Sequence, residues 1–189
     1  MTKKSKKNSY DDSWMYILLL TTITILAYSL GTYTFKIAGV SLTYSIFLLP
    51  VLYLITNYIT KKYSCERSIL AIVISSISIV IFTVIMNFAM GKTTNINAFA
   101  GSFCALVVSH LVNLLIYRFL NSNTQAPFLL VLLNYLFALV SFYMFYTLIY
   151  LNMIIIDDYW LGYFITLLIQ TVICIGLTYI DKKIKLGRE

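Results

Sequence analysis

His110 is the only histidine among 189 residues, and it lies near the middle of an apolar run, Asn97 to Leu120, long enough to cross a bilayer. Polar side chains at that depth are expensive, so an intramembrane site is the first hypothesis there. Asn113 follows three residues later and shares a helix face with His110. Ser102, Ser109 and Tyr117 lie along the same run. Other uncharged polar residues interrupt other apolar runs: Asn57 with Thr56 and Thr60, Asn87, Asn134, Ser141 and Gln170. Lys61 stands one turn from Asn57, at the edge of its run. Neutral donors and acceptors among aromatics suit a neutral, planar, hydrogen-bonding solute. The same groups would serve equally as hydrogen bonds between helices, at roughly 0.6–2 kcal/mol per contact. For Lys61 the alternative is a side chain that snorkels to the interface. The candidate solute-binding residues are therefore His110, Asn113, Asn57, Gln170, Ser109, Ser141 and Lys61.

Much chemistry has no footing here. The chain has no P-loop, no HExxH and no GxSxG. All seven acidic residues fall in tails, loops or the ends of apolar runs, so no pair of buried carboxylates is available for a proton relay. Cys65, Cys104 and Cys174 are scattered singly and read as packing residues. The expectation is a protein that is not an enzyme and uses neither cofactor nor metal.

The elements that would position these residues are membrane helices. Sixty per cent of the chain is hydrophobic and 11% is charged, against about 25% charged in a soluble domain. About 20 apolar residues are needed to cross the hydrocarbon core. Six segments qualify: 14–35, 39–60, 69–90, 97–120, 127–150 and 159–180. The expected architecture is all-α and polytopic, with one six-helix domain over 14–180 between basic tails at 1–13 and 181–189. The first run is too long for a signal-peptide core and no small-x-small site follows it, so it is expected to be a retained span. Pro50 interrupts the second segment, which opens with Ser41, Thr43 and Ser45; its first half is expected to be bent or unwound.

With the N-terminus inside, 12 of the 14 Lys and Arg residues fall on the inner face, and only Lys36 and Lys92 on the outer. That asymmetry predicts cytoplasmic termini and a multi-pass protein of the cytoplasmic membrane. The net charge of +7 then reflects topology and attraction to an anionic inner leaflet rather than nucleic-acid binding. Trp14, Tyr16, Tyr58, Tyr63, Tyr159 and Trp160 fall at expected interfaces; Tyr135, Phe142, Tyr143, Phe145 and Tyr146 lie deeper and could stack on a planar ligand or pack helices. The polar stretch 121–125 before Pro127 connects two runs, and Asp157-Asp158 precedes the sixth.

The stretch from Lys36 through Pro50 to Asn57, Thr60, Lys61, Tyr63 and Ser64 resembles the queuosine-precursor transporter family, also called the vitamin-uptake-transporter family. Its members tend to carry a lysine, an apolar stretch ending in Pro, a Ser-Asp, and a Thr-Glu-Val-Tyr-Gly-like ending. Pro50, Thr60 and Tyr63 match; Asn57, Lys61 and Ser64 stand where the family has Asp, Glu and Gly. In the fourth run, Ser102-Phe103-Cys104-Ala105 and Ser109-His110-Leu111-Val112-Asn113 echo its Ala-Ser-x-x-Ala … Gln-x-x-Asp/Asn pattern, with His110 in place of Gln. In the fifth, Ala138 and Ser141 take the Gln and Asp positions. The resemblance covers most of residues 36–150. It implies a six-helix transporter for a base-like or vitamin-like solute, such as a 7-deazaguanine queuosine precursor. Two other readings stay open: a solute-binding subunit that works with separate energising proteins, and a non-transporting assembly or interaction protein, alone or as a homo-oligomer.

Overall fold

The computed structural model describes residues 4–31, 33–37, 39–91, 95–121, 128–150 and 160–186. Long helices form wherever apolar residues run unbroken. They are α1 (Lys4–Leu30), α3 (Cys65–Met90), α4 (Ile96–Asn121), α5 (Phe128–Tyr150) and α6 (Trp160–Leu186). Between α1 and α3 lie two short strands, β1 (Thr34–Ile37) and β2 (Val40–Thr43), a 3-10 turn (Tyr44–Phe47) and a short helix, α2 (Leu49–Lys62). The expected connection at 122–127, Asp157-Asp158 and the outermost tail residues lie outside the described residues.

The second expected segment is broken before Pro50, as expected, but the correction is that its first half is not a bent helix: it forms a short β-hairpin and a 3-10 turn within an otherwise helical fold. Strands β1 and β2 pair antiparallel, with Thr34 opposite Thr43 and Ile37 opposite Val40. Gly39 turns the chain at φ +84°, which glycine adopts at no steric cost. β-branched Thr34, Ile37, Val40 and Thr43 suit a pleated ribbon. Helix α2 starts only at Leu49, with Pro50 in its first turn, where the missing N–H costs nothing. Its 14 residues span about 21 Å, short of the roughly 30 Å hydrocarbon core.

Four helical stretches are long and apolar enough to cross a membrane: Asp12–Leu30, Cys65–Met90, Ile96–Leu120 and Leu129–Ile149. Phe164–Ile180 within α6 is a shorter apolar stretch. The outward surface is apolar to a degree that suits lipid rather than water: Phe88 is 92% exposed and Phe119 73%. Hydroxyls survive among these runs by bonding back along their own helix. Thr24, Ser76 and Thr178 each donate to the carbonyl four residues earlier, at 2.6–2.7 Å.

Helix ends follow ordinary capping chemistry. The Ser64 side chain accepts from the Arg67 N–H at 3.2 Å to open α3, and Gly91 closes it in the left-handed region at φ +60°. Asn95 opens α4, its Oδ1 accepting from the N–H groups of Asn97 and Ala98. Helices α4 and α5 form the most extensive pair, while α1 packs on α3 and α2. The core between them holds Ile17, Leu52, Tyr53, Ile79, Tyr135 and Leu139. At the basic end of α2, Lys62 Nζ sits 4.9–5.7 Å from the ring centres of Tyr16, Tyr58 and Tyr63, tying α2 to α1 by cation–π contact.

Candidate functional site

The polar residues of α2, α4 and α5 meet in one buried seam. Asn113 Nδ2 donates to Asn57 Oδ1 at 2.8 Å, and Asn134 Nδ2 donates to Asn113 Oδ1 at 2.9 Å. Three amides thus form a ladder across three helices, and none is more than 3% exposed. One turn before Asn113, the Nδ1 of His110 lies 3.2 Å from the Thr56 hydroxyl. That hydroxyl gives its single proton to the Leu52 carbonyl at 2.9 Å. A Thr56 hydroxyl committed in this way to Leu52 accepts from a His110 Nδ1–H. Ser109 turns its hydroxyl back to the Leu106 carbonyl at 2.9 Å.

Gln170, fully buried on α6, does different work. Its Nε2 donates to the Ile46 carbonyl at 3.0 Å, and its Oε1 accepts from the Tyr143 hydroxyl at 3.1 Å. The 3-10 turn before α2 leaves backbone groups without helical partners, and such breaks persist at membrane depth only where something else satisfies them. Gln170 supplies that partner and ties the turn to α5 and α6.

The open space is elsewhere. Two adjoining cavities, of about 190 and 340 Å³, share Gly31, Ser45, Leu49, Ser102, Phe142 and Tyr146 as common wall. The smaller adds Thr43, Tyr143 and Thr166; the larger adds Thr24, Tyr28, Phe99 and Phe103. Among the described residues, no charged residue and no histidine lines either one. Their walls come from α1, β2, the 3-10 turn, the start of α2, α3, α4, α5 and α6. Phe99 stacks on Phe103 with centroids 5.9 Å apart and meets Tyr28 edge-on. Phe142 lies nearly parallel to Tyr146, at 6.2 Å. The larger cavity alone reaches the lower end of the about 300–1,000 Å³ usual for ligand sites.

The seven expected site residues therefore separate. His110, Asn113, Asn57 and Ser109 are brought together, but in the seam and not on the cavity wall. Gln170 stands behind the wall, through Tyr143 and Ile46. Ser141 is partly exposed and donates back to the Phe137 carbonyl. Lys61 is exposed at the basic end of α2, one turn past Asn57, and lines neither cavity. The break before Pro50 does face the cavity, through Ser41, Thr43 and Ser45, with Asn57 two turns deeper. Sequence reasoning reached Phe142, Tyr143 and Tyr146 but missed Tyr28, Phe99 and Phe103, which look like ordinary apolar residues until the helices assemble. Among the described residues, no three His, Cys, Asp or Glu side chains gather in a way that would hold a metal ion. No protein family, no characterised protein and no solved structure matches the chain.

Proposed function

We propose that this chain is a carrier of small, neutral, planar solutes in the cytoplasmic membrane. The observation that carries the reading is the paired cavity, rich in aromatic faces and hydroxyls and with no charge among the described residues of its wall. A charged ligand would be desolvated there with nothing to offset the loss, whereas a heterocycle could stack and hydrogen-bond. On this reading the chain makes six passes, the second built from the broken segment 33–47 followed by α2. Both termini lie in the cytoplasm, following the 12-to-2 bias of Lys and Arg. The cavity then belongs to the outer half. Its wall uses the far end of α1 at Tyr28 and Gly31, the start of α4 at Phe99 and Ser102, the end of α5 at Tyr146 and the start of α6 at Gly162. The family resemblance names a 7-deazaguanine as the solute class to try first. Transport, rather than catalysis, fits a site of stacking faces and neutral hydroxyls without an acid, base or nucleophile aimed at a ligand.

The test is uptake of labelled 7-deazaguanine by liposomes that contain the purified chain alone. Equilibration across the bilayer without ATP supports a self-sufficient carrier. Flux only after addition of a partner ATPase supports a solute-binding subunit of a larger system. Neither binding nor flux, for 7-deazaguanine and a panel of nucleobases and vitamins, favours an assembly or interaction role.

A further inference from the structure

The two adjoining cavities divide their chemistry. The larger carries the stacking faces of Tyr28, Phe99 and Phe103. The smaller adds Thr43 and Thr166 to a shared wall that already holds Ser45 and Ser102. At about 190 Å³ the smaller falls below the roughly 300–1,000 Å³ usual for a ligand site, so it serves as a side chamber of the larger. Its hydroxyls gather at the shared wall. Thr43 Oγ1 lies 2.8 Å from Ser45 Oγ. A methyl group built on Gly31 of α1 would sit 3.9 Å from that same serine oxygen, so glycine at 31 leaves Ser45 uncovered on that side.

The direction of the hydroxyl protons selects what the chamber takes. Thr166 donates to the Gly162 carbonyl at 2.7 Å and Ser102 to the Ala98 carbonyl at 2.9 Å, each back along its own helix. Thr43 and Ser45 share one proton between them, so that pair keeps a single donor. What these groups offer a ligand is mainly oxygen lone pairs. An anion would face those lone pairs with one donor to set against them. A cation would lose its water with no carboxylate among the described wall residues to replace it. A bare planar ring would stack in the larger cavity and leave the chamber to water. A diol presents O–H donors in fixed positions in place of those waters. We infer that the paired cavity takes a nucleoside-like solute. Its ring stacks among Tyr28, Phe99 and Phe103, and a vicinal-diol arm, as in a riboside, donates to Thr43, Ser45 and Thr166. This inference rests on the carrier reading above and narrows its substrate class.

The test uses the purified full chain in micelles and matched probes. 7-Deazaguanine, adenine and uracil are each supplied as the free base, the riboside and the dideoxy riboside that lacks the diol. Affinity is read from the dose-dependent shift in Tm. For at least one ring the riboside should bind about three- to tenfold tighter than its base, as for one added hydrogen bond or more, and the dideoxy form should fall back to the level of the base. Ser45→Ala and Thr166→Val each remove one hydroxyl from the chamber. Each should weaken the riboside by about threefold or more, leave the base unchanged and keep the Tm without probe. Should either variant melt lower, the dideoxy comparison in wild type decides alone. Bases that bind as tightly as their ribosides overturn the proposal and leave the carrier reading standing. A dideoxy form equal to the riboside, or folded variants that weaken base and riboside alike, also overturns it. If no base and no riboside shifts the wild-type Tm, the carrier reading fails for these solutes and the inference falls with it.

Discussion

Asn113→Leu is the sharpest perturbation of the buried seam. Asn113 is the middle amide of the ladder, donating to Asn57 at 2.8 Å and accepting from Asn134 at 2.9 Å, and it is fully buried. Leucine has nearly the same size, so no large cavity opens. Two hydrogen bonds between helices are lost, each worth about 0.6–1.7 kcal/mol in membrane proteins. Asn57 Oδ1 and Asn134 Nδ2 are left buried without these partners, which adds to the loss. The expected destabilisation is about 1–3 kcal/mol. At roughly 2–4 °C per kcal/mol for a chain of this size, Tm should fall by about 2–12 °C. The assay is thermal unfolding of purified protein in micelles, followed by intrinsic fluorescence. A double-mutant cycle with Asn57→Leu isolates the pair: the combined variant should be less destabilised than the two single losses added together, by about 0.6–1.7 kcal/mol. An Asn113→Leu variant as stable as wild type, with strictly additive double-mutant losses, would refute the ladder.

Gln170→Leu withdraws the donor to the Ile46 carbonyl and the acceptor of the Tyr143 hydroxyl. Tm should drop by a margin worth about 1–2 kcal/mol, and a protease site introduced in the 33–47 segment should be cut faster than in the unmutated background. Gly91→Ala forces a side chain into φ +60° at the end of α3, at a cost of about 1–2 kcal/mol; Gly91→Asn should cost less, and thermal unfolding of the two variants ranks them. Reporter fusions after Lys92 and after Lys185 should report opposite sides of the membrane; the same side for both would overturn the topology.

Much of the helical frame is legible because long apolar runs leave a chain in lipid little choice but helix. The expected segments 97–120 and 127–150 match α4 and α5 to within a residue at either end, and 69–90 lies inside α3, which starts at Cys65. The hairpin at 34–43 is not legible in the same way. Thr34, Ile37, Val40 and Thr43 sit in a stretch that reads as apolar at either period, so neither the helical nor the strand pattern stands out. Only Pro50 and the serine and threonine residues before it mark the break.

The candidate site is legible as residue types but not as partners. Asn57, His110, Asn113 and Asn134 each stand out as polar in an apolar run, yet their sequence separations say nothing of the ladder. Gln170 reaches Ile46 across 124 residues of chain, a contact with no local signal. Lys61 stands out beside Asn57, but Lys62 is the one held among Tyr16, Tyr58 and Tyr63. The cavity wall is the least legible part, because Phe99, Phe103 and Tyr28 differ from lipid-facing aromatics only in the direction they face once the helices pack.

The central claim is that a neutral planar solute occupies the aromatic cavity beside Ser102. The most direct measurement compares wild type with Ser102→Trp, which fills the shared wall of both cavities, in a thermal-shift titration with 7-deazaguanine and a panel of nucleobases and vitamins. A solute that binds only the folded state adds about 2.7 kcal/mol of stability at 100 times its Kd. The account predicts that at least one neutral heterocycle raises the wild-type Tm in a dose-dependent way, and that Ser102→Trp keeps its own Tm but loses the response. An equal response in both proteins, or no response in wild type to any neutral heterocycle of the panel, would contradict it.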